Sequence, residues 1–269
     1  MVRVRGVEIG SERPKICVPI VEETQEDILE EAGRITYSSA ELVEWRVDYY
    51  EDALQEKKVI ETAGLLQSIL GKKIPLLFTF RTKKEGGEKE ILWEQYASLL
   101  KNTAKSGYVD LIDLEMFRGY DERVRQKREW KVSDICNSKV LDLLEELNKR
   151  VVVIGSYHDF EKTPSKEEIL RRLLFMDRMG ADIPKLAAMP QEREDVLRLM
   201  EATSLADRLI VEKPIITMSM GVMGAATRVI GETFGSAISF GCMEKGSAPG
   251  QIEVEQLKEV LEILHHNHG

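Results

Sequence analysis

Short apolar runs rich in β-branched residues alternate with longer amphipathic stretches along the whole chain, and that alternation leaves few folds open. The apolar runs fall at Lys15–Ile20, Leu42–Asp48, Pro75–Phe80, Val109–Leu114, Val151–Ser156, Ile183–Ala187, Leu209–Met218 and Ser236–Gly241. Between them lie helical patterns at Thr24–Ser39, Leu54–Leu70, Glu90–Lys105, Lys139–Lys149, Ser165–Met179, Glu192–Ala206 and Met223–Thr233, and Val254–His265 closes the series. Strand-then-helix repetition predicts a parallel sheet covered by helices. About eight such units fit a closed (β/α)₈ barrel better than an open sheet.

Length agrees with one domain of that kind. The chain has 269 residues, and a single barrel runs to roughly 250. No Gly/Ser linker or low-complexity tract divides it, so one domain is expected over 1–269. One charged segment, near 118–134, interrupts the rhythm and reads as a solvated surface insertion rather than a nucleic-acid patch. In Asp159–Leu170, Thr163 is expected to cap a helix with Pro164 in its first turn. That places His158 at a strand's C-terminal end, the face where barrels do chemistry.

Composition removes several function classes. With 43% hydrophobic and 32% charged residues the chain is an ordinary globular one, and no apolar run reaches the roughly 20 residues that span a bilayer. The N-terminal MVRVRGVEIGSERPK lacks the apolar core of a secretory signal, so a cytoplasmic location is expected. A formal charge of −9 disfavours nucleic acid and anionic membranes. It leaves room for a small anionic substrate gripped by arginines inside a pocket. Cys17, Cys136 and Cys242 are odd in number and far apart, which argues against a disulfide framework or a zinc site.

Of four histidines, three fall in the last five residues, read as a frayed tail near 265–269. Only His158 sits within the fold, which excludes most multi-histidine metal sites. Lys185 stands alone among apolar neighbours in ADIPKLAAMP. It reads either as a strand lysine with its head in water or as a desolvated amine with a depressed pKa, suited to carbonyl attack. Glu44 and Arg46 are two apart and face one side of a strand, as do Asp113 and Glu115. Arg81 ends LLFTF, with Glu85 four residues on and Gly86-Gly87 following. The glycines of the C-terminal third lack a G-x-G-x-x-G or P-loop pattern, so a nucleotide site is weak. Met218 and Met220 alternate as pocket-wall residues do, and Arg228 and SAPGQI are polar candidates for holding a ligand.

The runs EWRVD, FTFRTKKEGG, DLIDLE, SYHDF, DIPKLAAMP, ITMSMG, TRVIGETFGSAISF and SAPGQI together resemble type I 3-dehydroquinate dehydratase, and they follow that family's order from near residue 15 to residue 251. The resemblance implies a TIM barrel that dehydrates 3-dehydroquinate to 3-dehydroshikimate, the third step of the shikimate pathway, with no metal or organic cofactor. It implies Lys185 as the imine-forming residue, His158 as general acid and base, and Glu85 as the group that orients His158. Glu44, Arg46 and Arg81 would grip ring hydroxyls. Arg228, Ser247, Ala248 and Gln251 would hold the carboxylate and its surroundings, with Met218, Met220 and Phe240 as apolar walls. A homodimer is also implied. Pro19 stands where some members carry a serine, so no contact is assigned there. Two rivals stay open: a class I Schiff-base aldolase, and a non-catalytic barrel that binds a cyclic polyol acid.

Overall fold

The structure, a computed structural model, describes residues 1–118, 137–244 and 246–266. A short antiparallel hairpin, β1 (Val2–Val4) and β2 (Val7–Ile9), comes first. Eight strands then run parallel: β3 (Lys15–Ile20), β4 (Leu42–Arg46), β5 (Leu76–Thr79), β6 (Leu111–Glu115), β7 (Val152–Asp159), β8 (Ile183–Ala188), β9 (Ile216–Ser219) and β10 (Ile238–Cys242). The ladder runs β10-β3-β4-β5-β6-β7-β8-β9. It closes where Ile215 bridges Ser236 and the Ala237 N–H donates to the Ile215 carbonyl at 2.8 Å. A short β11 (Ile252–Glu253) pairs outside β10, also parallel.

The helices are α1 (Gln25–Ile35), α2 (Glu56–Leu70), α3 (Trp93–Ser106), α4 (Ser138–Asn148), α5 (Lys166–Met179), α6 (Arg193–Leu205), the short α7 (Ala226–Val229) and α8 (Gly231–Phe234), and α9 (Val254–His266). Alternation along each strand sorts two cores. Outward residues such as Val43, Trp45, Phe78, Ile112 and Leu186 meet the buried faces of the helices. Inward residues Cys17, Leu42, Leu77, Leu111, Ile154, Ile183, Ile216 and Ile238 fill the barrel's lower half, and Val4 and Ile9 of the hairpin join that cluster from below.

Climbing β4, β5, β6 and β7 by two residues from this floor reaches polar groups: Glu44 then Arg46, Thr79 then Arg81, Asp113 then Glu115, Ser156 then His158. All but His158 are buried. The fold therefore sets the site on an apolar floor at the C-terminal end of the barrel.

Some local expectations change. The cap of α5 is Ser165, whose hydroxyl accepts from the Glu168 N–H. Thr163 instead donates to the Met189 carbonyl. Proline disfavours helical geometry in the residue before it, whereas Ser165 and Glu168 have the spacing of a capping box. The run expected as one strand from Leu209 begins as a π-turn over Ala206–Ile210, and the strand starts only at Ile216. Pro214 has no N–H to give a ladder, and Leu209 is exposed. The helix expected over Met223–Thr233 is two short ones. The N-terminal hairpin was not anticipated. The expected insertion near 118–134 lies outside the described residues apart from Arg118. Of the expected tail, His265 and His266 complete α9, and 267–269 lie outside the described residues.

Candidate active site

One cavity at the C-terminal mouth is lined by every residue to which the resemblance gives a role: Lys185, His158, Glu85, Glu44, Arg46, Arg81, Met218, Met220, Arg228, Phe240, Ser247, Ala248 and Gln251. Strand pairing brings the first two together. Ser156 stands opposite Lys185 and His158 opposite Ala187 on the adjacent strands β7 and β8, so both side chains point inward one step apart.

Lys185 is 4% exposed, but its surroundings differ from its sequence neighbourhood. Pro184 and Leu186 take the other face of the strand, as alternation requires. Inside the barrel the Lys185 Nζ lies 3.1 Å from Asp113 Oδ2, 3.8 Å from Glu44 Oε1 and 4.6 Å from the centre of the Phe240 ring. The expected apolar nest is thus a carboxylate pair with one aromatic wall.

Glu85 Oε2 lies 3.0 Å from both the backbone nitrogen and Nδ1 of His158. An oxygen accepting the backbone N–H is best completed by an Nδ1–H, which leaves Nε2 unprotonated and free of Glu85. Burial, reinforced by the positive charges of Arg81 and Lys185, holds the His158 pKa well below the usual imidazole value. His158 is therefore a neutral base at neutral pH. Burial pushes the Glu85 carboxyl up, and repulsion from Glu115 adds to it against the pull of Arg81.

Arg81 ties the cluster together. Its guanidinium is 2.8 Å from Asp113 Oδ2 and 3.2 Å from Glu115 Oε1, 3.7 Å from Glu85 Oε2, and donates to Ser156 Oγ at 3.1 Å. Burial opposes its charge, but Asp113, Glu115 and Glu85 more than offset that, so it stays protonated. Glu115 also accepts from the Thr82 N–H and hydroxyl, each at 2.8 Å, fixing the turn that carries Glu85. In that turn Gly86 has φ +85°, and a Cβ there would lie 2.2 Å from the Phe160 ring. Arg46 is held by a two-point fork, Nε and Nη2 each 2.8 Å from the Asp48 carboxylate. Glu44 accepts from the Thr79 hydroxyl at 2.8 Å.

Arg228 is different. It is 2% exposed, and no carboxylate among the described residues lies within ion-pair distance. Among the described residues its terminal nitrogens reach the Phe240 and Pro249 carbonyls, both at 3.4 Å, and the Met218 sulfur at 3.9 Å, and its Nε has no partner. Burial lowers its pKa to about 10. A buried guanidinium without a counter-charge is costly to hold and is chemically suited to pair with an anion. Beside it Gln251 accepts from the Ser247 N–H at 2.7 Å and donates to the Ser247 hydroxyl at 3.2 Å.

Sequence reasoning passed over several members of this cluster. Asp113 and Glu115 were seen as a pair but given no role, and Asp48, Thr79, Thr82 and Ser156 were not singled out. The two-residue step along a strand could have found Asp48 from Arg46, Thr79 from Arg81 and Ser156 from His158. No group of three or more His, Cys, Asp or Glu among the described residues is arranged to hold a metal ion. Cys17 and Cys242 are buried free thiols. No helix among the described residues is long and apolar enough to cross a membrane.

A family model described as type I 3-dehydroquinase matches residues 16–268. A 3-dehydroquinate dehydratase of Clostridioides difficile (strain 630) is 45% identical over 264 residues, covering 98% of this chain and 97% of its own. One from Bacillus licheniformis is 44% identical over 268 residues, with coverage of 99% and 98%. The crystal structure of a type I 3-dehydroquinate dehydratase from Clostridium difficile with covalent modified comenic acid matches at a TM-score of 0.88. It is 43% identical and covers 99% of this chain and 98% of that one.

Proposed function

The chain belongs to the type I 3-dehydroquinase family, and from that premise we propose that it dehydrates 3-dehydroquinate to 3-dehydroshikimate by syn elimination through an imine at Lys185, with His158 as the acid–base group. The observation that carries this reading is the meeting of Lys185 and a neutral, Glu85-oriented His158 in one cavity opposite the unpaired Arg228. The covalent modified comenic acid in the Clostridium difficile relative supports a covalent route.

The substrate's carboxylate pairs with Arg228, aided by the Ser247 and Gln251 polar groups. Its ring lies against Phe240, Met218 and Met220, and its hydroxyls face Glu44 and Arg46. Arg81, with both terminal nitrogens already engaged by carboxylates, acts more through its charge than by a free fork.

Lys185 passes a proton to His158 Nε2 and its free amine adds to the ketone carbon; the carbinolamine hydroxyl then leaves as water with the proton from His158, giving a protonated imine and restoring the neutral base. The imine draws electrons from the adjacent C–H bond, and His158 Nε2 takes that proton. The electron pair passes through the enamine and expels the neighbouring hydroxyl, which leaves as water with the proton from His158. Water then hydrolyses the conjugated imine, and the lysine is restored. One base on one ring face serves both proton transfers, hence syn.

Ultraviolet absorbance tests the reaction, because the enone product absorbs where the substrate does not. Growth of that band, together with a borohydride-reduced adduct on Lys185 found by peptide mass spectrometry, is the expected result. A flat trace with active controls, or an adduct elsewhere, overturns the reading. We further propose a cytoplasmic homodimer working in the shikimate pathway. Sedimentation at a single protomer mass would refute the dimer.

A further inference from the structure

We infer that Asp113 is the counter-ion of the protonated imine formed at Lys185, and this rests on the Schiff-base reading given above. The ammonium of the resting lysine and the iminium of the intermediate carry the same charge on the same nitrogen. The carboxylate that holds one is placed to hold the other. Only the iminium, not the neutral imine, withdraws electrons strongly enough to loosen the adjacent C–H bond. A fixed anion beside that nitrogen therefore keeps the intermediate in its working form.

Two carboxylates face Lys185, and geometry chooses between them. Asp113 Oδ2 is 3.1 Å from Nζ, whereas Glu44 Oε1 is 3.8 Å away. Asp113 is 1% exposed and held on three sides, by Lys185, by Arg81 Nη2 at 2.8 Å and by the Ser156 hydroxyl donating to Oδ1 at 2.6 Å. It cannot swing away when the ammonium becomes an imine. Arg81 and Lys185 together face Glu44, Glu85, Asp113 and Glu115, more carboxylates than cations. Burial works against ionising Asp113, but Arg81 and Lys185 outweigh it and hold its carboxyl well below the usual range, while Glu85 and Glu115 are pushed up. Of these three carboxyls Asp113 is the one whose ionised form its neighbours favour. The other groups around Lys185 are His158 on β7, the Cys17 thiol on β3 and the Phe240 ring on β10, and none of them supplies a fixed negative charge.

The test is trapping by cyanoborohydride, which reduces the iminium in preference to the neutral imine, with 3-dehydroshikimate as the ketone. Adduct formation is followed by intact mass across a pH series. Wild-type protein is expected to trap on a plateau that falls off at an alkaline midpoint. In Asp113→Asn that midpoint should move down by about 1–3 pH units, the effect of removing one adjacent opposite charge. Glu44→Gln should move it less. Superposable wild-type and Asp113→Asn profiles, or a larger shift in Glu44→Gln, would overturn the assignment. Ser156→Ala removes a hydrogen bond from Asp113 while keeping its charge, so its midpoint should hold or rise. A fall there would also overturn it, whether or not Asp113→Asn folds. Absence of any adduct in wild-type protein at every pH would instead sink the Schiff-base reading itself.

Discussion

Glu85 holds His158 twice with one oxygen, lying 3.0 Å from its backbone nitrogen and 3.0 Å from its ring Nδ1. Ring orientation and tautomer are thereby tied to the strand on which the histidine stands. Glu85→Gln keeps the size but loses the charge, and its amide satisfies the same two nitrogens less well. We expect turnover to fall by about 10²-fold, the lower end of what acid–base help is worth. Borohydride trapping should persist. Unchanged kcat would show that the contact does not orient the base.

His158→Ala removes the base itself while leaving Lys185 and its carboxylates in place. Turnover is expected to drop by about 10²–10⁴-fold, with an adduct still detectable by mass after long incubation with product. Steady-state kinetics at near-wild-type rate would remove His158 from the mechanism.

Lys185→Ala should abolish the adduct and the reaction without unfolding the barrel. Asp113 keeps Arg81 and the Ser156 hydroxyl as partners, so the substitution does not strand a buried charge. Circular dichroism and thermal melting check the fold. A borohydride adduct that survives in this variant would mean that another nucleophile is at work.

Arg228→Met should trade binding for stability. The guanidinium is buried beside no carboxylate, a cost that falls on the empty protein and is recovered when an anion arrives. We expect the variant to gain about 1–2 kcal/mol of stability while KM rises by about 10²-fold or more and kcat changes less. A destabilised variant with unaltered KM would contradict the role given to this residue.

His158 contributes to the pH dependence of stability with a definite sign. Its folded-state pKa lies well below the unfolded value, about 6.5. Between those two values the unfolded chain binds the proton and the folded one does not. Stability is therefore full above about pH 6.5 and is lost as pH falls toward the depressed value. Urea unfolding at a series of pH values isolates this contribution as the difference between the wild-type and His158→Gln slopes, since the raised Glu85 and Glu115 carboxyls act with the opposite sign in both proteins. Equal slopes in the two proteins would mean that the imidazole is not held neutral.

Strand alternation explains how far the sequence alone could be read. The cavity residues were legible because each lies on a strand's inward face or in the loop just beyond it, and short motifs mark both. Lys185 was recognised, but its setting was misread as apolar, because Pro184 and Leu186 are neighbours in the chain and not in the barrel. Asp48 is reachable by the two-residue step from Arg46, but its role is not. Its importance lies in gripping Arg46 and receiving the backbone N–H groups of Arg81 and Glu88, partners brought close only by folding. The run through Leu209 looked like strand because apolar β-branched residues are common to both readings. Pro214 decides between them by withholding an N–H. The hairpin at Val2–Ile9 is too short to announce itself, and its purpose appears only once Val4 and Ile9 are seen against the barrel floor.

Among the described residues that floor fills the barrel beneath the site, and the cavity lies at its C-terminal end with Arg228 and the arch carrying Ser247 and Gln251. That arch leaves β10 and returns beside it, since Gly241 pairs with Ile252. A molecule seated over Lys185 therefore rests on packed apolar side chains and meets the polar groups of the site from the side that carries His158 and Arg228.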